Sequence, residues 1–306
     1  MPWIIDTDPG VDDAAAVMAG LGHLDVIGLS IVHGNVEMKQ ALTNALYIKH
    51  ILGSEVFVYP GAEAPLLEPR REAVSVHGTD GLGDIERPEI KLKPESEHAV
   101  DMIISAGEKH PGNLSLLTLG PLTNVALALA KDKKLASRIK EIVIMGGTCS
   151  GRGNATMVGE FNFAADPEAA AMVLGAGIPV TLVPWEPTVE IRYTPEELEK
   201  GLPDNFAARE FIRMCGHFSE YIGRKMGKRA VVLCDLIAAA VAIDQKVILK
   251  SERLFGTVET AGEFSRGLTA LDFARVSGRE ANLEVVLQAD KEKALKIFRE
   301  GIINAS

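Results

Sequence analysis

Short apolar runs rich in β-branched residues alternate with helix-period segments through the chain as far as residue 183. This alternation constrains the fold more than any other feature. The runs are WIID at 3–6, DVIGLSIV at 25–32, VFVY at 56–59, LSLLTL at 114–119, EIVIM at 141–145 and PVTLV at 179–183. Between them lie segments with helical spacing at 12–21, 38–52, 98–109, 122–130 and 167–174. Runs apolar on both faces and joined by helical crossovers are the mark of βαβ units, so the chain is predicted to be α/β, with a mostly parallel sheet flanked by helices. Beyond residue 194 the pattern changes to long amphipathic segments at 204–225 and 235–243, followed by strand-like pieces at 254–259, 269–273 and 283–287. These are expected to cover and complete the sheet. No repeat, low-complexity tract or linker interrupts the 306 residues, which are read as one domain spanning 1–306.

Composition removes several function classes. With 47% hydrophobic and 24% charged residues, the chain is neither disordered, collagen-like nor coiled coil. Its formal net charge of −10 opposes a nucleic-acid polymer as partner, because binding to that backbone rests on clustered Lys and Arg. The longest apolar stretch, near 236–243, is too short to span a bilayer, and the start MPWIID lacks the basic region of a leader. Cys149, Cys215 and Cys234 form no CxxC pair and are odd in number, which predicts a reduced, cytoplasmic setting.

Chemistry is expected where strands end, because ligands of open parallel sheets bind beyond the carboxyl ends of the strands. Two Gly-rich stretches, HGTDGLG at 77–83 and GGTCSGRGNATMVG at 146–159, fall at such places. The densest signal is Asp6-Thr7-Asp8-Pro9-Gly10-Val11-Asp12-Asp13, four carboxylates directly after an apolar strand. Pro9-Gly10 turns the chain sharply, so these acids are predicted to converge on one pocket. One acid could complement the N-terminus of the following helix, but four crowded carboxylates call for a cation, and hard oxygen ligands favour calcium or magnesium over zinc. The spacing is not that of an EF-hand, since Val11 and Val17 occupy the places where Gly and Glu are required.

The stretch DTDPGVDDA resembles the N-terminal fingerprint of the inosine-uridine-type nucleoside hydrolases. The likeness continues through Val32-His33-Gly34-Asn35, His77-Gly78-Thr79-Asp80-Gly81-Leu82-Gly83, Leu119-Gly120-Pro121-Leu122-Thr123-Asn124 and Met145-Gly146-Gly147. It extends over Gly153-Asn154-Ala155-Thr156, Glu160-Phe161-Asn162 and Asp166-Pro167-Glu168-Ala169-Ala170. The resemblance implies a Rossmann-like fold, a ribonucleoside substrate, and calcium at the bottom of a ribose pocket. The implied ligands are the side chains of Asp8, Asp13 and Asp235 and the carbonyl of Leu119, with Asp8 also the general base for a calcium-bound water. Asp12, Asn35, Asn154, Glu160, Asn162 and Asp235 match positions that hold ribose hydroxyls, and Met145 matches one that lines the sugar. His77 is read either as a ligand-binding residue or as a bridge between backbone groups of its loop. A homodimer or homotetramer is implied as well. Glycosidic cleavage develops positive charge on the sugar, so carboxylates around it suit the reaction.

Many members of that family carry His before the last metal-binding Asp, where this chain has Cys234. A neutral thiol is a poor proton donor beside an imidazole, so activation of the leaving base is not explained by that position. The cysteine matches a subgroup of the family. Trp185, within Pro184-Trp-Glu-Pro-Thr188, and His217 with Tyr221, one helical turn apart, are further candidates for the base end, although a core aromatic and a solvated helix face are the plainer readings. Asp235 alone reads as the N-terminal cap of the helix it opens. Purine, pyrimidine and modified bases are left equally open. Two other classes remain: a magnesium-dependent phosphohydrolase using Asp6 as nucleophile, although no Walker-type phosphate loop is present, and a non-catalytic nucleoside- or calcium-binding protein.

Overall fold

The computed structural model describes residues 1–67 and 69–305. Its strands are β1 (Pro2–Thr7), β2 (Asp25–Ile31), β3 (Val58–Pro60), β4 (Leu114–Thr118), β5 (Ile139–Met145), β6 (Val180–Val183), β7 (Ile248–Leu254), β8 (Gly256–Val258), β9 (Thr269–Leu271) and β10 (Leu283–Ala289). Eight form one sheet in the order β3-β2-β1-β4-β5-β6-β10-β7, and β8 with β9 forms a separate antiparallel ribbon. Within the large sheet only β10 and β7 are antiparallel.

Alternating residues of each strand feed two cores, one on either face. In β1, Trp3 and Ile5 join Leu29, Ile31, Val143 and Met145 on one side, while Ile4 joins Leu116, Ile142, Ile144 and Leu182 on the other. Both faces are therefore apolar, which is why the strands read as near-continuous hydrophobic runs. Helix Cys234–Ile243, apolar on nearly every side, is buried in the first core from Cys234 to Val241, with Ala242 and Ile243 at its edge. The first long helix, Val11–His23, packs against the last, Lys291–Ala305, at a crossing so close that a Cβ on Gly301 would lie 2.6 Å from the Ala19 Cα.

The expected strand at 254–259 is divided. Asn282 Oδ1 accepts from the Gly256 N–H and its Nδ2 donates to the Gly256 carbonyl, so β7 ends at Leu254 and β8 starts afresh. The piece expected at 269–273 is shorter, ending at Leu271. Among the described residues no helix is long and apolar enough to cross a membrane.

The chain leaves β1 toward β2 and β3 on one side, then crosses back to β4, β5 and β6 on the other. The carboxyl ends of β1 and β4 thus flank a topological switch point, where an open sheet forms a crevice for ligands. Asp8 follows the end of β1 and Leu119 the end of β4.

Candidate active site

The turn after β1 is held by the carboxylate that follows it. Asp13 Oδ2 accepts from the Gly10 N–H at 2.9 Å, and its other oxygen accepts from Thr7 Oγ1. Asn35, from the turn after β2, ties the acids together. Its backbone N–H donates to Asp8 Oδ2 (2.8 Å), and its side-chain amide donates to the Asp8 carbonyl (3.1 Å) and to Asp13 Oδ2 (3.2 Å). Asp235 enters from the first turn of helix Cys234–Ile243, whose N-cap is Leu233; Asp235 is therefore not the cap that it resembles in the sequence. Carboxylate oxygens of Asp12, Asp13 and Asp235 lie within 4.8 Å of one another.

Asp6 departs from the expected convergence. Its Oδ2 accepts from Ser30 Oγ (2.5 Å) and Asn124 Nδ2 (2.9 Å), which bind it between β2 and the helix Thr123–Lys131 rather than to the other acids. Burial raises its pKa to about 7 despite these donors.

The same burial acts on the whole cluster. Asp8 and Asp235 are held well above the usual carboxylate range by desolvation first and then by neighbouring acids, and Asp13 is pushed up to about 6. Among the described residues, buried Asp8 Oδ1 and Asp12 Oδ1 have no hydrogen-bond partner. The basic side chain paired with the cluster, His77, stands 3.8 Å from Asp12, and burial depresses its pKa to about 4, so it brings no positive charge at neutral pH. Crowded carboxylates with unpartnered oxygens and no charged partner among the described residues match the donor set of a hard divalent cation.

Above the acids opens a cleft of about 420 Å³. Asp12, Asn35, His77, Leu119, Met145, Asn154, Glu160, Asn162, Trp185, Tyr221, Cys234 and Asp235 all line it, whereas Asp8 and Asp13 lie behind this lining. Glu160 is buried and caps the short helix Phe161–Ala165, accepting from the N–H groups of Gly147 (2.8 Å), Asn162 (2.8 Å) and Phe163 (3.2 Å). Its pKa still rises to about 7, because desolvation outweighs those donors. Asn162 Nδ2 donates to the carbonyls of Leu119 (2.6 Å) and Met145 (3.2 Å), joining the ends of β4 and β5. A carbonyl oxygen has two lone pairs, so the Leu119 carbonyl keeps one for a further partner.

His77 Nδ1 accepts the Val11 N–H at 3.2 Å, so the neutral ring carries its proton on Nε2. His77 therefore holds the backbone of the turn at Val11 and also lines the cleft. Cys234 is buried with a thiol pKa far above its usual value, first from desolvation and then from Asp12, and it remains a neutral thiol. His217 does not reach the cleft; its Nδ1 stands 3.9 Å from Asp84 Oδ2. Its neighbour Phe218 lines the cleft instead, 5.3 Å from the His77 ring. Phe218, Tyr221, Ile222 and Lys225 form a stripe along helix Phe206–Met226 that faces the cleft; Phe218 was missed in the sequence, and its i, i+3 spacing from Tyr221 is the signal that could have found it.

Comparison with known proteins agrees with this geometry. Residues 3–296 match the family model described as inosine-uridine preferring nucleoside hydrolase. The chain is 37% identical over 292 residues to the non-specific ribonucleoside hydrolase RihC of Escherichia fergusonii, covering 95% of this chain and 94% of that relative. Among solved structures, it resembles the purine-preferring ribonucleoside hydrolase from Gardnerella vaginalis with a TM-score of 0.92 and 31% identity, covering 100% and 99% of the two chains. It also resembles an inosine-guanosine nucleoside hydrolase with a TM-score of 0.88 and 33% identity, covering 99% and 98%. A match over nearly the whole length, on a fold that brings the fingerprint acids together at the switch point, places the chain in the inosine-uridine preferring nucleoside hydrolase family.

Proposed function

We infer that the chain hydrolyses the N-glycosidic bond of a ribonucleoside to free base and ribose, with calcium as cofactor and Asp8 as general base. The observation that carries this reading is the meeting of Asp12, Asp13 and Asp235, with Asp8, whose Oδ1 has no partner among the described residues, tied to Asp13 through Asn35, under a cleft walled by amides and carboxylates. Asp8, Asp13, Asp235 and the Leu119 carbonyl would hold the ion, a set of oxygens that suits the flexible coordination of calcium. When bound, calcium supplies positive charge that acidifies and orients a water molecule.

The remaining chemistry belongs to side chains. Asp8, held by both the backbone and the side-chain amide of Asn35, takes the proton of the attacking water, a contribution of roughly 10²- to 10⁴-fold. Asp12, Asn35, Asn154, Glu160, Asn162 and Asp235 receive the ribose hydroxyls, and a site built for hydroxyls discriminates against sugars that lack them. Met145 packs beside the sugar, and the carboxylates stabilise the positive charge that develops on it. Trp185, Phe218 and Tyr221 supply the apolar, aromatic wall on which a base can rest. Cys234 contributes shape there rather than a proton.

The phosphohydrolase reading has less support: one oxygen of its nucleophile, Asp6, is taken up by Ser30 and Asn124, although the other, Oδ1, has no partner among the described residues, and the relatives are ribonucleoside hydrolases. Residues 1–306 are read as one catalytic domain, supported by a sheet that inserts its last strand, β10, between β6 and β7. A cytoplasmic location is supported by three unpaired cysteines, and assembly into a homodimer or homotetramer by family likeness. The test is to incubate the protein and calcium with purine, pyrimidine and modified ribonucleosides and to measure free ribose, with nucleoside monophosphates assayed for phosphate. Ribose without phosphate is the expected result; phosphate release would restore the phosphohydrolase reading, and binding without turnover would make this a binding protein.

A further inference from the structure

Asn154 stands on the loop 146–159, and among the described residues its side chain has no hydrogen-bond partner, so its position depends on what anchors the loop. The anchors are ordered along the chain. Gly147 donates to Glu160, and its carbonyl accepts from the Trp185 N–H (3.0 Å); Thr148 N–H donates to Thr269 Oγ1 (3.0 Å). Next comes Glu186, from the start of helix Trp185–Glu190. Its Oε2 accepts from the N–H (2.7 Å) and the thiol (3.2 Å) of Cys149, and its Oε1 accepts from the N–H (2.6 Å) and the hydroxyl (2.7 Å) of Ser150. From 151 to 158, the hydrogen bonds of the described residues close within the loop itself: Gly153 to Met157, Ala155 and Thr156 to Gly159, and Val158 to Thr156. Glu186 is therefore the last outside anchor on the N-terminal side of Asn154; on the other side the loop is tied at Gly159, which bridges to Leu268.

We propose that Glu186 is a positioning residue for substrate binding: one carboxylate, gripping two consecutive residues through four donors, fixes the loop that presents Asn154 to the ribose. This rests on the ribonucleoside reading of the cleft. Of the two neighbours, Trp185 lines the cleft itself, while Glu186 holds the loop that carries another lining residue, Asn154. Both carboxylate oxygens are needed. A glutamine keeps the shape but turns one acceptor into a donor, so either the Cys149 pair or the Ser150 pair meets an N–H instead of a lone pair. Burial pushes the Glu186 carboxyl upward, but the four donors together outweigh it and hold the group below its usual pKa, as an ionised acceptor requires.

The test joins kinetics to amide exchange. Glu186→Gln is expected to lower kcat/KM roughly tenfold, mostly through KM, because this carboxylate places a binding group and does not touch the reacting atoms. In an Asn154→Ala background the same change should cost less than about twofold, since its effect passes through the missing side chain. Amides of residues 149–156 should exchange roughly tenfold faster in Glu186→Gln, with other segments unchanged. Additive penalties in the double variant, or unaltered exchange in this loop, would overturn the proposal. A wild-type protein inert on every nucleoside, whose loop nevertheless loosens in Glu186→Gln, would remove the reaction and leave the clamp standing.

Discussion

Asp8 is walled in by two glycines, and replacing one of them moves this proposed base without removing it. A Cβ on Gly34 would lie 1.9 Å from Asp8 Oδ2, and one on Gly120 would lie 2.6 Å from Oδ1 on the other side. In Gly34→Ala the carboxylate must retreat by about 1.5 Å to reach an ordinary contact of about 3.4 Å, toward a wall that is already close. The shift also breaks the 2.8 Å bond from the Asn35 N–H. Catalytic geometry tolerates about 0.5 Å, and a misplacement of about 1 Å costs on the order of 100-fold. The variant should therefore lose at least about 100-fold in kcat/KM, measured as ribose release per folded molecule. Overpacking should cost about 1–3 kcal/mol of stability, visible as a lower Tm without loss of the folded state. Gly216→Ala is the control: it sits inside helix Phe206–Met226 with nothing within 4 Å of its added carbon, and should match the parent or exceed it slightly in stability. If folded Gly34→Ala kept kcat/KM within about threefold of the parent, the proposal that Asp8 is the general base would fail.

Asp8→Asn keeps the shape and should drop kcat by roughly 10²- to 10⁴-fold with a smaller change in KM; steady-state kinetics over a nucleoside series checks it. Calcium removal should make stability depend on pH. Asp6 and Asp13, with folded pKa values of about 7 and 6, bind protons that the unfolded chain has released, so their contribution is complete below about pH 4 and is lost as pH rises through 6 to 7. Thermal melts in chelator should fall across that window, and calcium at pH 8 should restore Tm; a chelated protein equally stable at pH 5 and pH 8 contradicts the account. Gly301→Ala should lower Tm through a crossing that costs about 1–3 kcal/mol to open, while kcat/KM at 25 °C stays unchanged.

The strands up to β6 were legible because burial on both faces writes them as unbroken apolar runs, and the helices because their apolar stripes keep the 3.6-residue period. The boundary at Phe255 was not, since it is made by Asn282 reaching across to Gly256. Nor does local pattern reveal that β10 slots between β6 and β7. At the site, the crowding of acids after β1 announced a cation, but the sequence could not separate Asp6 from its neighbours. That separation depends on Ser30 and Asn124, brought alongside by a neighbouring strand and a distant helix. His217 and Phe218 show the same limit at finer scale: adjacent residues on one helix point in different directions, and a rotation of one position decides which meets the cleft.

Because β10 is sandwiched between two earlier strands and the final helix lies across the first, the growing polypeptide cannot finish its sheet until its tail has been made. Up to that moment β6 and β7 lack their shared neighbour, and the outer surface of Val11–His23 lacks its cover. Removing the tail thus exposes one sheet edge and one greasy flank at once, so shortened forms should clump rather than work slowly.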